Sequence, residues 1–328
     1  MTVRVGVCSA AHVHTDAYLR LLSDLDDAEL VGIADDDPKR GREAADRHGT
    51  ESTDSSDLLA RVDAAVVCAT NADHREWVRR AADAGVDVLC EKPLAPSLDE
   101  ASEIVSLADE AGIHLGVAMP LRFSDPVQRA AERLGDDAVG DLFALSGTNR
   151  GRMPGGWFAD PEKAGGGAVM DHTVHVLDLV LHLTGRRVTE VFAEVDTRFH
   201  DIAVDDVNVL SMELDDGTPF VLDGSWSRPD EWHTWGDATL ELVGESGTLA
   251  IDCFDQRLLH TRNSGEAAGV NSVFWGTDPN EGLLRDFLAA VEANRPPAIT
   301  GADGQYAVAV VEAAYRAAAS GEPEPVDF

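Results

Sequence analysis

The first strand and turn of the chain indicate its fold. They read Val3-Arg4-Val5-Gly6-Val7-Cys8 and then Ser9-Ala10-Ala11-His12-Val13-His14. An apolar run of this kind is typical of a buried strand, and a helical pattern starts near Thr15. In dinucleotide-binding folds the same turn carries G-x-G-x-x-G, and the pyrophosphate lies on the helix N-terminus. Here Ser9, Ala11 and His14 take the glycine positions, so the pattern is a weak match to that fingerprint.

The same turn carries candidate cofactor contacts and two histidines. A helix N-terminus offers free N–H groups to an anion, which makes Ser9, Ala11, His12 and Val13 candidate cofactor-binding residues. His12 and His14 lie two apart and could ligate a metal, but a turn need not bring their rings together, and no third ligand is near in sequence. We therefore predict no metal site. Contact with cofactor or substrate and a purely structural role both stay open for these histidines.

Up to about residue 119, short apolar runs alternate with helical patterns. This alternation predicts an α/β fold with a doubly wound parallel sheet. The predicted strands are Val3–Cys8, Glu29–Ala34, Ala64–Ala69, Val86–Cys90 and His114–Ala118. The predicted helices between them lie near Thr15–Asp24, Pro38–Arg47, His74–Ala84 and Leu98–Ala111.

From about residue 120 the pattern changes to strands in which apolar and polar residues alternate, separated by turns such as Asp215-Asp216-Gly217. This predicts a second α/β domain with one large, open, mainly antiparallel sheet and helices on one face. Single cores stop growing at roughly 250–300 residues, and this chain has 328. We therefore expect domains at residues 1–120 and 121–328, and a disordered tail at Glu322–Phe328.

The chain is strongly acidic, with 60 Asp and Glu residues against 26 Lys and Arg, a formal net charge of −34 and only three lysines. Nucleic acids and anionic membranes carry the same sign of charge, so neither is an expected partner. An acidic excess along the whole chain indicates adaptation to concentrated salt, as in a haloarchaeal cytoplasm. There the Debye length is about 3 Å, which screens self-repulsion. An ordinary acidic protein is the alternative.

The sequence predicts a soluble, cytoplasmic protein. It starts directly with a strand pattern, without the basic segment and apolar run of a secretion signal. No stretch reaches the roughly 18 apolar residues of a membrane span. The four cysteines lack C-x-x-C spacing, so we expect reduced residues that are buried in the core.

Asp35 ends the second predicted strand. In a doubly wound fold an acid at this position accepts hydrogen bonds from the adenosine ribose hydroxyls. Asp36 and Asp37 follow directly, and three carboxylates would repel the 2′-phosphate of NADP. The sequence therefore favours NAD over NADP.

Lys92, Asp171 and His175 are the candidate catalytic residues. Lysine is a compact charge whose pKa moves readily on burial, and Lys92 is one of only three lysines in the chain. Asp171 and His175 follow Gly165-Gly166-Gly167 with the helical spacing of four, so they share one face of a helix. Lysine, aspartate and histidine brought together are the parts of a proton-transfer site. A core-facing histidine and a surface ion pair of Lys92 with Glu91 are the structural alternatives.

Four stretches of sequence carry a family resemblance. They are Ala69-Thr70-Asn71-Ala72-Asp73-His74, Val88-Leu89-Cys90-Glu91-Lys92-Pro93-Leu94, Trp157-Phe158-Ala159-Asp160-Pro161 and Gly165-Gly166-Gly167-Ala168-Val169-Met170-Asp171-His172-Thr173-Val174-His175-Val176-Leu177-Asp178. With these stretches in this order, the chain resembles the Gfo/Idh/MocA oxidoreductases over nearly its whole length. The family is named for glucose–fructose oxidoreductase and inositol dehydrogenase.

The resemblance implies a Rossmann domain that binds NAD(P) at residues 1–120. It implies a second domain at residues 121–328 that binds substrate and forms a homodimer or homotetramer through its sheet. The implied substrate is a sugar or polyol. The glycine-poor turn is the main departure from the family pattern and puts tight pyrophosphate binding in question.

The resemblance also implies roles for single residues. Lys92, Asp171 and His175 fall on the catalytic positions of the family. The residues that fall where the family lines the nicotinamide side are Thr70, Asn71 and His74. Glu91 and Lys92 are further candidate cofactor-binding residues.

Further residues near the motifs are candidate substrate contacts, because they precede or lie in the predicted catalytic helix. They are Arg122, Asn149, Arg150, Trp157 and His172. The expected reaction is hydride transfer between a sugar or polyol hydroxyl carbon and NAD. The alternatives are a lyase or glycosidase that retains NAD through a transient oxidation, and a non-catalytic sugar-binding protein.

Overall fold

A computed structural model describes residues 2–136, 138–262 and 269–328 of the chain. The chain divides into two compact units, each built from several segments. The first unit comprises Met1–Met119, Asp160–Gly165 and Asn280–Val308, and the second comprises Pro120–Ala159, Gly166–Pro279 and Ala309–Phe328. Two later segments thus join the unit of the first strand. A division of cofactor and substrate roles at residue 120 stays a prediction.

The first unit contains a six-stranded parallel sheet with the strand order β3-β2-β1-β4-β5-β6. The strands are β1 (Val3–Cys8), β2 (Ala28–Ala34), β3 (Ser52–Thr53), β4 (Ala64–Val67), β5 (Asp87–Glu91) and β6 (Leu115–Ala118). The predicted doubly wound sheet is confirmed. The two-residue β3 escaped prediction because so short a strand has no readable periodicity.

The α-helices of the chain follow in sequence order. They are α1 (Thr15–Asp24), α2 (Pro38–His48), α3 (Ser55–Leu59), α4 (His74–Ala84), α5 (Leu98–Ala111), α6 (Asp125–Gly135), α7 (Pro161–Ala164), α8 (Ala168–Thr184), α9 (Pro279–Ala293) and α10 (Gly301–Ser320). Side-chain caps fix several of the helix starts. The Asp37 side chain accepts hydrogen bonds from the N–H groups of Lys39 and Arg40, and α2 therefore begins at Pro38. Gly49 ends the same helix in the left-handed conformation, with φ of 64°.

The second unit contains a seven-stranded sheet in the order β12-β11-β7-β10-β9-β8-β15. The strands are β7 (Leu142–Thr148), β8 (Val188–Asp196), β9 (Val207–Leu214), β10 (Pro219–Asp223), β11 (Thr239–Gly244), β12 (Thr248–Asp252) and β15 (Glu324–Pro325). A separate ribbon pairs β13 (Arg257–Arg262) with β14 (Gly269–Phe274). Neighbouring strands of the large sheet are antiparallel except for β7 and β10, so the predicted mainly antiparallel sheet is confirmed.

The sequence pattern missed two features of this sheet. Period-two alternation identifies the buried face of a strand but not its direction, so the parallel pairing of β7 with β10 was not predicted. The prediction of a disordered tail at Glu322–Phe328 was wrong. Glu324 and Pro325 pair with β8, and the Arg316 guanidinium donates a hydrogen bond to the Pro325 carbonyl oxygen.

Helix α8 lies in the core of the second unit and packs against β9 and β10. All of its residues from Ala168 to Val180 are buried. A helix that is buried on every side is a core element, and polar groups on it need partners inside the protein. Asp171, His172 and His175 are among these buried residues, so they depend on internal partners.

The four cysteines are buried and reduced, as expected. Burial raises the pKa of the Cys8 and Cys253 thiols to about 12, and that of Cys68 and Cys90 well above the ordinary value. A protonated thiol is a poor nucleophile, so these residues are inert. Within the described part of the chain, no helix is both long and apolar enough to cross a membrane.

Candidate active site

The carboxyl ends of β1 and β4 lie side by side in the middle of the parallel sheet, where the strand order reverses. Doubly wound folds bind ligands outside the sheet at this point. The turn after β1 places Ser9 in the left-handed conformation, with φ of 70°. Glycine normally takes such a position at little cost. Ser9 therefore holds the backbone shape of the missing first glycine, and its hydroxyl accepts a hydrogen bond from the Ala11 N–H at 3.2 Å.

Asp35 ties the end of β2 to this turn. One carboxylate oxygen accepts hydrogen bonds from the Ala10 N–H at 2.6 Å and from Arg40 Nε at 2.8 Å. The other accepts from the Asp37 N–H and from Arg40 Nη2, both at 2.7 Å. The Asp35 side chain is fully buried, whereas that of Arg40 is 41% exposed. Arg40 thus supplies two of the four donors that bind the Asp35 carboxylate, and the ribose contact of Asp35 stays a prediction.

His12, His14 and Glu91 form a cluster behind the same turn. His14 Nδ1 lies 2.8 Å from Glu91 Oε1, and His12 Nδ1 lies 3.4 Å from the same oxygen. Burial alone would raise the pKa of Glu91, but the charges of His12 and His14 and the hydrogen bond from His14 hold that pKa well below its ordinary range. The Glu91 carboxylate is thus ionised and held by imidazoles that come from another part of the chain.

The three residues predicted to line the nicotinamide side are buried after β4 and at the start of α4. Thr70 donates to Asp73 at 2.6 Å, and Asn71 Nδ2 donates to the Ala164 carbonyl at 2.8 Å. His74 Nδ1 lies 3.1 Å from the Pro93 carbonyl oxygen, and burial lowers the His74 pKa, so a neutral ring braces the segment after Lys92. Asn71 Oδ1 is buried and has no hydrogen-bond partner within residues 2–136, 138–262 and 269–328.

Lys92 directly follows β5 at the carboxyl edge of the sheet and is only 4% exposed. Its N–H donates to Glu91 Oε2 at 3.1 Å, and the peptide bond to Pro93 is cis. Lys92 is therefore not a solvated surface lysine. The alternative of a surface ion pair between Lys92 and Glu91 does not describe this environment, because both residues are buried.

The N-terminus of α8 is held by a residue that the sequence did not single out. Asp205 accepts hydrogen bonds from the Gly167 and Val169 N–H groups at 2.9 and 2.8 Å. Tyr315 donates its hydroxyl to the same carboxylate at 2.7 Å. A Cβ on Gly167 would overlap the backbone of Asp205. The absence of a side chain at Gly167 thus lets the backbone pass close to Asp205.

The candidate catalytic groups on α8 are buried in the second unit. Asp171 is 6% and His175 7% exposed, one helical turn apart. Trp226 Nε1 donates to Asp171 Oδ2 at 3.1 Å, and His172 Nε2 lies 3.3 Å from that oxygen. His172 Nδ1 donates to the Gly224 carbonyl at 3.1 Å, which fixes its ring. Trp226 therefore orients Asp171, a role that the sequence offered no signal for.

Arg122, a predicted substrate contact, lies in a buried ion pair. Its Nε donates to both carboxylate oxygens of Asp178, at 2.9 and 2.8 Å. The side chains are 9% and 1% exposed. This pair anchors α8 to the segment before α6. A substrate contact by Arg122 stays a prediction.

The other predicted substrate contacts lie near the carboxyl end of β7. Asn149 Nδ2 donates to the Asp237 carbonyl at 2.8 Å, and Asn149 Oδ1 is buried without a hydrogen-bond partner among the residues that the structure describes. Arg150 Nη2 lies 3.1 Å from the Asp237 carboxylate. The Trp157 ring stacks on Phe158 with centroids 4.0 Å apart. Asp237, which also binds Arg228, was missed because nothing marks it among 60 acidic residues.

The first unit fits a dinucleotide on three observations. The strand order reverses beside β1, the turn at Ser9 holds the shape of a glycine, and α1 begins at Thr15 directly after the turn. In addition, Asn71 Oδ1 is a buried acceptor without a hydrogen-bond partner among the described residues, so it can accept a hydrogen bond from a bound ligand. The side chains of Ala11 and His14 leave less room for a phosphate beside the turn than glycines would. The N-terminus of α1 still lies directly after the turn.

Sequence comparisons agree with this fold. Residues 3–119 match the sequence model of an oxidoreductase family with an NAD-binding Rossmann fold, and residues 127–250 match the GFO/IDH/MocA C-terminal domain. The first region holds Lys92 and the second holds Asp171 and His175. The N-terminal part of the chain is thus an NAD-binding Rossmann domain.

Similar proteins include two named dehydrogenases and one solved structure. The chain is 26% identical to myo-inositol 2-dehydrogenase of Thermotoga maritima, over 93% of each chain. It is 28% identical to D-xylose 1-dehydrogenase (NADP(+)) 2 of Haloferax volcanii, over 91% of this chain and 92% of the other. GenD2 of gentamicin A biosynthesis, solved in complex with NAD, superposes with a TM-score of 0.90 and 26% identity, over 100% of this chain and 97% of the other.

Proposed function

The chain belongs to the GFO/IDH/MocA family of oxidoreductases, and on that premise we propose that it is an NAD-dependent dehydrogenase of a sugar or polyol. It transfers a hydride between a CH–OH carbon of the substrate and nicotinamide. The position of Lys92 carries the proposal. This lysine follows β5 at the carboxyl edge of the doubly wound sheet, where such folds bind ligands, and it is 4% exposed.

His175 is the proposed general base, which takes the proton of the reacting hydroxyl. Lys92 is the proposed hydrogen-bond donor that stabilises negative charge on the reacting oxygen. Asp171, oriented by Trp226, is the proposed residue that positions the substrate. Bound NAD supplies the hydride acceptor. Positioned acid–base catalysis contributes roughly 10²–10⁴-fold to the rate.

The proposed substrate is polyhydroxylated. Two relatives are named for myo-inositol and D-xylose, and both compounds carry several neighbouring hydroxyl groups. In the second unit, the buried Asn149 Oδ1 has no partner among the described residues and can accept a hydrogen bond from a hydroxyl. The indole of Trp157 and the ring of His172 are further proposed contacts. The names of these relatives favour net oxidation over a reaction that returns the cofactor unchanged.

NAD is the proposed cofactor in preference to NADP, although the structure weakens the charge argument. Asp35 is paired with Arg40, Asp36 is paired with Arg80 at 2.8 Å, and Asp37 caps α2. The three carboxylates are thus largely compensated and repel a 2′-phosphate less than their number suggests. We expect NAD to be preferred and NADP to be accepted more weakly.

A homodimer or homotetramer is also proposed. Phe192, Val209 and Val221 lie on the neighbouring strands β8, β9 and β10 and are 36%, 44% and 44% exposed. Apolar side chains grouped on an open sheet are typical of an interface. Light scattering coupled to size exclusion in molar KCl measures the mass, and a monomer would contradict this proposal.

The function is tested with a panel of polyols and aldoses in molar KCl, with NAD and NADP side by side, by following nicotinamide reduction. Lys92→Ala and His175→Ala should each lower kcat/KM by about 100-fold or more. Lys39→Ala and His182→Ala are the controls, because Lys39 is 80% exposed and His182 lies exposed near the end of the same helix α8.

Three results would overturn the proposal. Turnover that survives either substitution within a few-fold would refute the catalytic assignment. Substrate consumption without net NADH, in protein that keeps its nucleotide through purification, would identify a lyase or glycosidase that retains NAD. Failure to bind NAD in molar salt would identify a non-catalytic protein.

A further inference from the structure

We infer that His12, His14 and Glu91 form a binding site for one divalent transition-metal ion such as Zn²⁺ or Co²⁺. Their ligand atoms, two imidazole nitrogens and one carboxylate oxygen, all lie within 4.8 Å of one another. The sequence argued against a metal because no third ligand lies near the two histidines. The fold supplies that ligand from the end of β5, 77 residues beyond His14.

The distances suit such an ion. Zinc lies about 2.0–2.2 Å from nitrogen and oxygen ligands in a tetrahedron, so neighbouring ligand atoms are roughly 3.3–3.5 Å apart. His12 Nδ1 and Glu91 Oε1 are separated by 3.4 Å. His14 Nδ1 is 2.8 Å from Glu91 Oε1, a hydrogen-bond distance that must open by about 0.5 Å. The His14 side chain is 36% exposed and has room to move.

The donor set selects the class of ion. Two histidines and one carboxylate, with a fourth position left open, bind zinc in several enzymes. Imidazole ligands favour Zn²⁺, Co²⁺ and Ni²⁺, whereas Mg²⁺ and Ca²⁺ prefer oxygen ligands. The His14 N–H donates to His12 Nδ1 at 3.2 Å, and the ion replaces this hydrogen bond. Glu91 Oε2 already accepts from the Lys92 N–H, which fixes the carboxylate for coordination through Oε1.

The site lies in the turn whose glycines are replaced. The third glycine position of the fingerprint is occupied by His14, which is itself one of the ligands. A bound ion adds positive charge beside the N-terminus of α1. If the proposed dehydrogenase function holds, this charge attracts the diphosphate of NAD. The metal site itself does not depend on that function, because it is measured without nucleotide.

The experiment titrates chelator-treated full-length protein with Co²⁺ in molar KCl without nucleotide, and follows the visible absorption of coordinated cobalt. Zn²⁺ and Mg²⁺ then compete for the site. We expect one tightly bound Co²⁺ per chain, which Zn²⁺ displaces and Mg²⁺ does not. Molar salt suppresses diffuse binding to the acidic surface.

The variants are His14→Ala, Glu91→Gln and the matched control His48→Ala. His48 also lies 2.8 Å from a carboxylate oxygen, that of Asp16, but outside the cluster. Loss of an outer-shell partner already weakens metal binding by about 10–100-fold, so loss of a ligand should weaken it by at least about 100-fold. His48→Ala should bind like the parent. His14 is partly exposed, so His14→Ala keeps the test valid if Glu91→Gln fails to fold.

Two outcomes would overturn the inference. One is Co²⁺ binding without a saturable single site. The other is equal affinity in the parent, His14→Ala and His48→Ala. Either result would assign the cluster to hydrogen bonding alone. A metal-binding protein without dehydrogenase activity would instead refute only the proposed function.

Discussion

The hydroxyl of Tyr315 donates a hydrogen bond to the Asp205 carboxylate at 2.7 Å, although the two residues are 110 positions apart. Asp205 in turn accepts hydrogen bonds from the first N–H groups of α8. Burial raises the pKa of Asp205, while these hydrogen bonds favour its charged form. The C-terminal helix α10 thus fixes the start of the helix that carries Asp171 and His175.

Tyr315→Phe should lower the free energy of unfolding by about 1–2 kcal/mol, because one buried hydrogen bond to a carboxylate is lost. Asp205→Asn should lower the free energy of unfolding further. The donors now bind both carboxylate oxygens of Asp205, whereas an asparagine amide has only one acceptor oxygen. Urea unfolding in molar KCl measures both. Equal stability of the parent and Tyr315→Phe would show that the hydroxyl contributes nothing to holding α8.

Gly167→Ala should disrupt the second unit, since its Cβ would overlap the backbone of Asp205. We expect the free energy of unfolding to fall by several kcal/mol, or the variant not to fold, because a steric clash in a packed region displaces the backbone. The control is Gly135→Ala at the end of α6, where an added Cβ meets nothing within 4 Å. Alanine there should be neutral or stabilising by up to about 1 kcal/mol. Comparable melting temperatures for the two variants would contradict the crowding at Gly167.

Arg122→Met leaves the buried carboxylate of Asp178 without its main partner. The free energy of unfolding should fall by about 3–5 kcal/mol. The double variant Arg122→Met with Asp178→Leu should recover most of that loss, because no buried charge remains. Arg129→Met is the control: its ion pair with Glu132 is exposed, and we expect a change below about 1 kcal/mol. If Arg122→Met stays as stable as the parent but raises KM, Arg122 is a substrate contact rather than an anchor of α8.

Arg40→Ala removes the guanidinium that neutralises Asp35 beside the proposed adenosine site. The exposed negative charge should raise KM for NADP by about tenfold or more and leave KM for NAD within a few-fold. Arg42→Ala removes the same charge from an exposed position on α2 and should leave both constants near those of the parent. Steady-state kinetics with NAD and with NADP measure both KM values. A parallel change for NAD and NADP would place Asp35 away from the ribose.

Asp206→Asn tests a pH dependence of stability. Burial alone would raise the Asp206 pKa, but N–H groups of Arg198, His200 and Phe199 bind the carboxylate and lower that pKa. Such a group stabilises the fold above its unfolded pKa of about 3.9, and this contribution is lost as pH falls through the lower folded value.

At pH 7, Asp206→Asn should therefore lower the free energy of unfolding by about 2–4 kcal/mol, since hydrogen bonds to a charged group contribute roughly 1.5–3 kcal/mol each. The difference from the parent should shrink below pH 4. Asp201→Asn removes an exposed carboxylate from the same loop and serves as the control. A stability difference that does not vary with pH would show that ionised Asp206 is not what holds this loop.

The sequence was sufficient where the information was local. The bounds of β1, α1, α4 and α5 were predicted to the residue, because the apolar pattern of each lies in consecutive positions of the sequence. The motifs around Lys92 and His175 likewise identified the family, since short stretches in a fixed order carry that signal.

Pairings between distant segments were decided by the tertiary structure alone. Glu91 joins His12 and His14 only because β5 and β1 both end at the same edge of the sheet. Asp205 could not be chosen from among 60 acidic residues, because its role depends on the nearby α8 and not on its neighbours in sequence. Periodicity fixes which face of an element is buried, whereas contacts made across tens of residues leave no local pattern to read.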